Sequence, residues 1–236
     1  MRENQKILKI VKNIIFLMLL LIGVLLVFHN TIENRLVSMG TDSIKIDTIS
    51  ASEIEKNNEK NTSFNFEEVE ELDLKTILKA NLNKDDISVI GAISIPSVNL
   101  NLPIGKGTSS YTLALTAGTM KENQAMGEGN YALAGHHMDR EDLLFSPLFQ
   151  VEKGAAVYLT DLKYVYEYQV DEQRTIEATA IEVLDEIEGK KILTLITCDN
   201  DGNARLLTRA HFVKKIPIKE ATSKVIEAFQ IELNNK

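Results

Sequence analysis

Cys198 is the only cysteine in a chain of 236 residues. It ends the apolar run "LTLIT" and is followed by the polar turn "DNDGN". A lone thiol can be an inert buried group, a link to another chain, or a nucleophile. A nucleophilic cysteine needs a base or cation that favours the thiolate, and a donor for the oxyanion that forms on the attacked carbonyl. The four histidines and the arginines of the chain are the candidates for these roles.

Two adjacent histidines follow the strand-like segment "NYALA". Because side chains alternate along a strand, His136 shares a face with Ala132 and Ala134, whose small side chains leave room for a ligand. His137 shares the opposite face with the bulky Tyr131. The pattern therefore favours His136 as a functional base and His137 as a packing residue.

The other candidates are less well placed in the sequence. His211 is a second choice of base, and His29 follows a long apolar run and is expected at a membrane interface. Arg209 comes eleven residues after Cys198, a spacing typical of a hairpin partner. Arg205 lies nearer the turn, and we expect it to be solvated.

The strand that carries Cys198 also presents Thr194 and Ile196 on the same face. Ile196 is apolar enough to line a groove for a leucine side chain, and Thr194 has a hydroxyl to offer. These two residues are the first candidates for contacts with a substrate.

The elements that position these residues are short strands. Eight segments rich in β-branched and aromatic residues alternate with turn signals, which predicts a mainly β protein built as a closed or nearly closed antiparallel barrel. The predicted strands are 89–95, 99–105, 116–120, 130–137, 155–160, 164–175, 191–198 and 206–216. Short helical turns are predicted at "SSYTLAL" and "SPLFQ", and an amphipathic helix at 220–233.

The N-terminus has the pattern of a membrane anchor. Lysines and an arginine precede the uncharged run "IIFLMLLLIGVLLVF" (14–28), which is short of the roughly 20 residues that span a bilayer, although Ile10 and Val11 extend it. A signal peptide is the alternative, but no small-x-small cleavage site follows the run. We favour an uncleaved anchor with its basic end inside and the rest of the chain exported.

The chain then divides by composition. We predict an N-terminal membrane anchor over 1–30, an extracellular polar stalk over 31–62, a helical segment over 63–86 and the catalytic barrel with its C-terminal helix over 87–236. Within the third part, the spacing of apolar residues predicts a helix over 64–80.

Several function classes are excluded by composition and motifs. The net charge of −8 gives no basic face for nucleic acid. Gly-x-Ser-x-Gly, phosphate-binding glycine loops and His-Glu-x-x-His are absent from the sequence. The segment "DNDGN" lacks the ligand pattern of an EF-hand.

These pieces together resemble the class A sortases of Gram-positive bacteria, over about residues 87–216 and the anchor. "LAGHH" resembles the catalytic-histidine motif with His136 matching, "TLITC" the cysteine motif ending at Cys198, and "RAHFV" the arginine strand with Arg209 matching. "GAISIP" and "AGTM" are similar to further family strands. The three motifs occur in the family's order.

The resemblance implies an eight-stranded sortase-type barrel and a two-step transpeptidation. Cys198 would attack the Thr–Gly carbonyl of a Leu-Pro-x-Thr-Gly sorting signal on a surface protein. His136 would protonate the leaving amine, and Arg209 would hold the substrate or the oxyanion. An amine of a lipid-linked cell-wall precursor would then take over the acyl group.

The resemblance also implies a groove and a loop. The residues that would line the groove are Ala134, Thr194, Ile196 and Thr197. Segment 175–190 lies where the family places its substrate-gripping loop. Some members bind calcium there, but Glu122, Glu128, Glu182 and Asp185 match those sites poorly, so we expect no metal and no cofactor.

Two other readings remain open from the sequence. One is another exported cysteine acyltransferase such as an L,D-transpeptidase, although "TLITC" does not fit the cysteine motif of that family. The other is a non-enzymatic anchored β-domain with an inert Cys198. Thiol reactivity distinguishes the last reading, because a buried inert cysteine resists alkylation.

Overall fold

The computed structural model describes residues 2–44, 46–65, 72–199 and 203–230. The chain forms two compact units, one ending at Glu33 and the other beginning at Asn34. The first unit is helical and the second contains a β-barrel.

Helix α1 (Arg2–Val27) forms most of the first unit. Its segment Gln5–Val27 has a mean hydropathy of 2.8 and none of it is buried. Twenty-three residues at 1.5 Å per residue extend about 35 Å, enough to cross the roughly 30 Å hydrocarbon core of a bilayer. The predicted apolar helix is confirmed, and it begins well before the uncharged run.

The structure differs from the stalk expected over 31–62. This segment is largely helical, in α2 (His29–Ser43) and α3 (Ala51–Glu59). Val37 is fully buried in the main core cluster, and Ile54 is 3% exposed in a second one. A few well-spaced apolar residues in a polar stretch are enough to dock these helices on the barrel.

Polar contacts fix the same helices in place. Thr41 Oγ1 donates to Leu115 O at 2.9 Å, and Asn57 Nδ2 donates to Val89 O at 2.9 Å. Both side chains are buried, so each hydrogen bond removes an otherwise unsatisfied polar group. The helices after Glu33 are therefore part of the folded unit.

All eight predicted strands are present. They are β1 (Val89–Ile95), β2 (Leu100–Gly105), β3 (Ala117–Thr119), β4 (Asn130–Ala134), β5 (Ala156–Thr160), β6 (Tyr164–Glu177), β7 (Ile192–Cys198) and β8 (Ala204–Pro217). They close into a barrel in the order β1-β2-β3-β4-β7-β8-β6-β5.

The strand count alone predicted an antiparallel barrel. The barrel in the structure is only partly antiparallel. The pairs β2–β3 and β4–β7 are parallel. Parallel neighbours need a crossover connection. Helix α5 (Ser110–Leu115), at the predicted "SSYTLAL" turn, connects β2 to β3. The crossover from β4 to β7 contains β5 and β6 and places the histidine and cysteine strands side by side.

The helix predicted over 64–80 is present in the described residues from Leu74 onward. Helix α4 (Leu74–Leu82) begins after Asp73, whose side chain caps it by accepting from Thr76 N at 2.7 Å. Residues 66–71, which include part of the predicted helix, lie outside the described residues. An Asp at this position satisfies a free amide of the first turn, which fixes the start of the helix.

The two remaining helical predictions are confirmed where they are described. "SPLFQ" forms a 3₁₀ turn at Ser146–Gln150. The C-terminal helix α6 is Ser223–Gln230, and residues 231–233 of the predicted helix lie outside the described residues. Ala228 O in α6 accepts from Ser94 Oγ of β1 at 2.7 Å, which ties the helix to the barrel.

Alternation along β4 and β7 separates two faces. The side chains that point into the barrel core are Tyr131, Leu133, Leu193 and Leu195. The intervening residues face outward, and those on the outer face are Ala132, Ala134, Thr194, Ile196 and Cys198. The outer face of these two parallel strands therefore carries the candidate groove.

Candidate active site

Cys198 is the last residue of β7 and the only half-buried one in that strand. The strand before it is fully buried, so the thiol is where β7 emerges from the folded domain. Asp199 N donates to Ala204 O at 3.1 Å and begins the turn into β8. Residues 200–202 of that turn lie outside the described residues.

The parallel pairing of β4 and β7 brings the end of the strand before His136 alongside the end of the strand that carries Cys198. Ala134 pairs with Ile196, and Gly135 N donates to Ile196 O at 3.1 Å. β4 ends at Ala134, so His136 follows the strand end by two residues, while Cys198 lies two residues beyond Ile196 and ends β7. Because paired strands are about 4.8 Å apart, both residues lie at the same end of this strand pair.

The backbone at His136 is fixed by contacts with Phe145. Phe145 N donates to His136 O at 3.0 Å, and Phe145 is fully buried. A Cβ on Gly135 would lie 2.6 Å from Phe145 Cγ, closer than packing allows. Glycine is required before the histidine because the Phe145 ring occupies the space of a side chain.

One nitrogen of the His136 ring is unpaired within the described part of the protein. Its Nε2 is buried and has no hydrogen-bond partner among the described residues. Burial lowers the pKa of His136 to about 4, because the imidazolium form loses its hydration. At neutral pH the ring is therefore uncharged, and it is a weaker base than a solvated imidazole.

Two more polar atoms beside Cys198 are also without partners in the described part of the chain. They are Thr197 Oγ1 and Asp199 Oδ1, both buried. Buried polar atoms are nearly always hydrogen-bonded in folded proteins. Asp199 directly follows the cysteine, whereas Thr197 points to the other side of β7, so these atoms do not by themselves outline one binding site.

The structure does not bring Arg209 to the cysteine. In the β7–β8 pair, Arg209 lies opposite Thr194, and Arg205 lies opposite Cys198. Directly opposed residues in an antiparallel pair point to the same side. Arg205 is half-buried and its Nη1 donates to Ala204 O at 2.8 Å, so it is not the solvated side chain that we expected.

Arg209 is engaged elsewhere on the same face. Its Nη2 donates to Val183 O at 3.0 Å, and its Nη1 lies 3.8 Å from Glu172 Oε1. Its side chain is 18% exposed. The geometry favours Arg205 for a role at the thiol, while the role first assigned to Arg209 stays a prediction.

The other histidines have structural partners. The His137 ring stacks on Phe149 with centroids 4.6 Å apart. His211 Nδ1 lies 2.8 Å from Asp171 Oδ1. The register pairs His211 with Ile192, at the far end of β7 from Cys198. In the first unit, His29 Nε2 lies 3.2 Å from Glu33 Oε1. His136 is therefore the histidine that follows the strand paired alongside β7 at its Cys198 end.

The residues predicted to line a groove occupy different positions. Ala134 is on the outer face and is buried. Ile196, 6% exposed, packs in a small cluster with Val183 and Leu207 beneath the β6–β7 loop. Thr197 points to the opposite side of β7 from Cys198.

Thr194 is placed differently from the prediction. Its hydroxyl is buried and donates to Asn130 Oδ1 at 2.7 Å, so it is not free for a substrate. Asn130 was missed at the sequence level. The signal was present, because Asn130 shares the outer face of β4 with Ala132 and Ala134.

Acidic residues considered for calcium do not form a site in the described residues. Within the described part of the chain, no group of three or more His, Cys, Asp or Glu side chains is arranged to hold a metal ion. Glu128 instead pairs with Lys191 at 2.9 Å. The expectation of no metal and no cofactor stays a prediction.

Comparisons with known proteins identify the family and the fold. A family model described as the sortase domain matches residues 93–213. The chain is 37% identical to sortase A of Streptococcus agalactiae over 243 residues, which covers 99% of this chain and 98% of the relative. It is 44% identical to sortase A of Listeria monocytogenes over 80% of this chain and 84% of the relative. The crystal structure of Listeria monocytogenes sortase A superposes with a TM-score of 0.56 at 41% identity, covering 60% of this chain and 97% of that one.

Proposed function

The chain belongs to the sortase family of cysteine transpeptidases, and on that premise we propose that it cleaves Leu-Pro-x-Thr-Gly sorting signals between Thr and Gly. It transfers the surface protein that carries the signal to an amine of a lipid-linked cell-wall precursor. The observation that supports this proposal is the parallel pairing of β4 with β7, whose ends are followed by His136 and formed by Cys198.

The first half-reaction forms a thioester. The Cys198 thiol gives its proton to the uncharged His136 ring, and Sγ attacks the threonine carbonyl carbon. The tetrahedral intermediate collapses, the C–N bond to glycine breaks, and His136 returns the proton to the departing amine. The surface protein remains attached to Cys198 through its threonine.

The second half-reaction reverses the roles. The incoming amine attacks the thioester carbonyl and gives a proton to His136. The C–S bond breaks, and the departing thiolate takes that proton to become a thiol again. The net result is one amide exchanged for another, with no cofactor consumed.

We assign the oxyanion contact to Arg205. Its guanidinium is always charged and carries several donors on the face that holds Cys198. A donor preorganised at a developing oxyanion contributes roughly 3–4 kcal/mol to the barrier reduction. The position of Arg205 directly opposite Cys198 supports this assignment over Arg209.

The apolar cluster beside the thiol supports a peptide with a leucine in its recognition sequence. Ile196 and the β6–β7 loop residue Leu184 belong to this cluster, together with Met120. Ala134 provides the space in which the peptide backbone passes over β4.

We propose that α1 anchors the enzyme in the cell membrane as a single span, with the N-terminus in the cytoplasm and the catalytic domain outside. The length and hydropathy of α1 support a span. The basic residues before it support the orientation.

The test uses the full-length chain in detergent with a Leu-Pro-x-Thr-Gly peptide, with and without an amine acceptor. We expect cleavage between Thr and Gly, ligation when the amine is present, and neither with Cys198→Ala. Cleavage at another bond, or equal activity of the alanine variant, would refute the proposal.

A further inference from the structure

The β6–β7 loop (178–191) is tied to the barrel through its backbone carbonyls. Asn130 Nδ2 donates to both Val183 O and Asp185 O, each at 3.0 Å. Asn130 Oδ1 accepts from Thr194 Oγ1 at 2.7 Å. Because backbone carbonyls only accept, the amide has one orientation that satisfies all three bonds.

Two cationic side chains reach the same stretch of loop backbone. Lys121 Nζ donates to Leu184 O at 3.2 Å, and Arg209 Nη2 donates to Val183 O at 3.0 Å. The carbonyls of residues 183, 184 and 185 are thus each bound by a side chain from outside the loop. Such carbonyls in a surface loop are usually hydrated, so this arrangement replaces water by fixed donors.

A carboxylate of the loop completes the attachment. Glu186 Oε2 accepts from Asn130 N at 2.6 Å, and Glu186 Oε1 pairs with Lys121 Nζ at 2.6 Å. A Cβ on Gly129 would lie 2.2 Å from Glu186 Oε2, so the carboxylate lies directly over that glycine. Asn130 is therefore bonded to the loop through both its side chain and its backbone.

The attached stretch forms one side of the candidate groove. Val183 is 6% exposed and packs on Ile196 and Leu207. Ile196 is two residues before Cys198 on the same face of β7. The position of the loop thus determines the shape of the apolar surface beside the thiol.

We propose that Asn130 is a positioning residue that holds the β6–β7 loop against β4 and β7 before the substrate arrives, and thereby sets KM for the sorting-signal peptide. This inference rests on the proposed function of the groove. Asn130 is 1% exposed, so it acts on the substrate only through the loop. A preformed groove binds a peptide more tightly because no loop-ordering entropy is lost on binding.

The test compares two isosteric substitutions in the full-length chain. Asn130→Asp replaces the donors by an acceptor-only carboxylate that faces Val183 O and Asp185 O. Asn57→Asp is the matched control, because Asn57 is also buried and also donates to a backbone carbonyl, but on β1. Hydrogen exchange of residues 178–191, peptide kinetics and iodoacetamide labelling of Cys198 are measured on both.

For Asn130→Asp we expect loop amides to exchange about tenfold faster or more, and KM to rise about tenfold or more. We expect kcat and the rate of Cys198 alkylation to stay within about twofold of wild type. Asn57→Asp should change neither loop exchange nor KM. Rescue with Asn130→Gln is not expected, because the longer amide does not fit the buried site.

Unchanged loop exchange in Asn130→Asp, or faster exchange without a rise in KM, overturns the inference. If that variant does not fold, Lys121→Met removes the donor to Leu184 O at a partly exposed site and must show the same pattern in weaker form. A wild-type enzyme that cleaves no peptide would refute the proposed function, while the exchange data would still decide whether Asn130 holds the loop.

Discussion

Cys198 and Arg205 lie directly opposite each other across the antiparallel strands β7 and β8. Arg209, on the same face of β8, is opposite Thr194 and donates to the β6–β7 loop. These positions predict separable roles for the two arginines, with Arg205 at the reacting carbonyl and Arg209 at the loop.

Substitution of the two arginines tests this separation. Arg205→Gln should lower kcat/KM about 10²–10³-fold, the usual loss for one oxyanion donor. Arg209→Gln should act mainly on KM, with kcat within about threefold of wild type. Steady-state kinetics with the same peptide measures both. A severe loss of kcat in Arg209→Gln with little effect in Arg205→Gln would instead support Arg209 as the residue that holds the substrate or the oxyanion.

The burial of His136 makes stability depend on pH. Its pKa is about 4 in the folded protein, against 6.5 for a solvated histidine. Between these values the unfolded chain binds more protons, so stability present above pH 6.5 is lost as the pH falls toward 4. Relative to His136→Gln, the wild type should lose up to about 3 kcal/mol between pH 7 and pH 4.

Urea denaturation of both proteins at pH 7, 5.5 and 4 measures this difference. The variant serves as its own control for all other titrating groups, which the two proteins share. Parallel loss of stability in the two proteins across this range would show that His136 titrates normally and is not buried as described.

Gly135 should tolerate no side chain. Gly135→Ala places a Cβ 2.6 Å from the buried Phe145 ring and must displace His136. A shift of about 1 Å in a catalytic group can cost 10²-fold in rate, so we expect at least a tenfold loss of kcat. Gly154→Ala is the control, since nothing lies within 4 Å of its Cβ position although its φ is +90°. Equal activity of the two variants would contradict the packing described.

The docking of α3 on the barrel predicts a stability effect. Ile54 is 3% exposed, so Ile54→Ala should lower the free energy of unfolding by roughly 2–5 kcal/mol. Leu82→Ala, at a position 84% exposed, should change it by less than about 0.5 kcal/mol. Denaturation followed by tyrosine near-UV circular dichroism, which reports on the barrel, measures both. If Ile54→Ala leaves the free energy of unfolding unchanged, α3 does not stabilise the barrel and the prediction of a detached stalk is restored.

The barrel was predictable because its strands are local patterns. Turn residues and β-branched runs marked all eight strands, and alternation in "NYALA" separated the core side of β4 from the groove side. The parallel pairing of β4 with β7 was not predictable from such patterns, since pairing depends on the crossover between them. The composition of segment 31–62 predicted a stalk because its few buried residues, such as Val37 and Ile54, are separated by many polar ones.

The site was predictable only in part. His136 and Cys198 could be chosen from face alternation and motif, because each ends or follows a strand. Which arginine lies opposite Cys198 follows from the β7–β8 register, and that register depends on the length of the turn between the two strands. Asn130 and Lys121 act through loop carbonyls, and no side-chain pattern in the sequence reports on where a backbone carbonyl points.

Intact-protein mass spectrometry of the acyl-enzyme tests the central claim most directly. The full-length chain is mixed with a Leu-Pro-x-Thr-Gly peptide without an amine acceptor and quenched in acid within seconds. The account predicts an adduct with the mass of the peptide up to threonine, linked to Cys198, released by an added amine and absent from Cys198→Ala. Peptide cleavage with no adduct at any time, or an adduct that persists in Cys198→Ala, would contradict it.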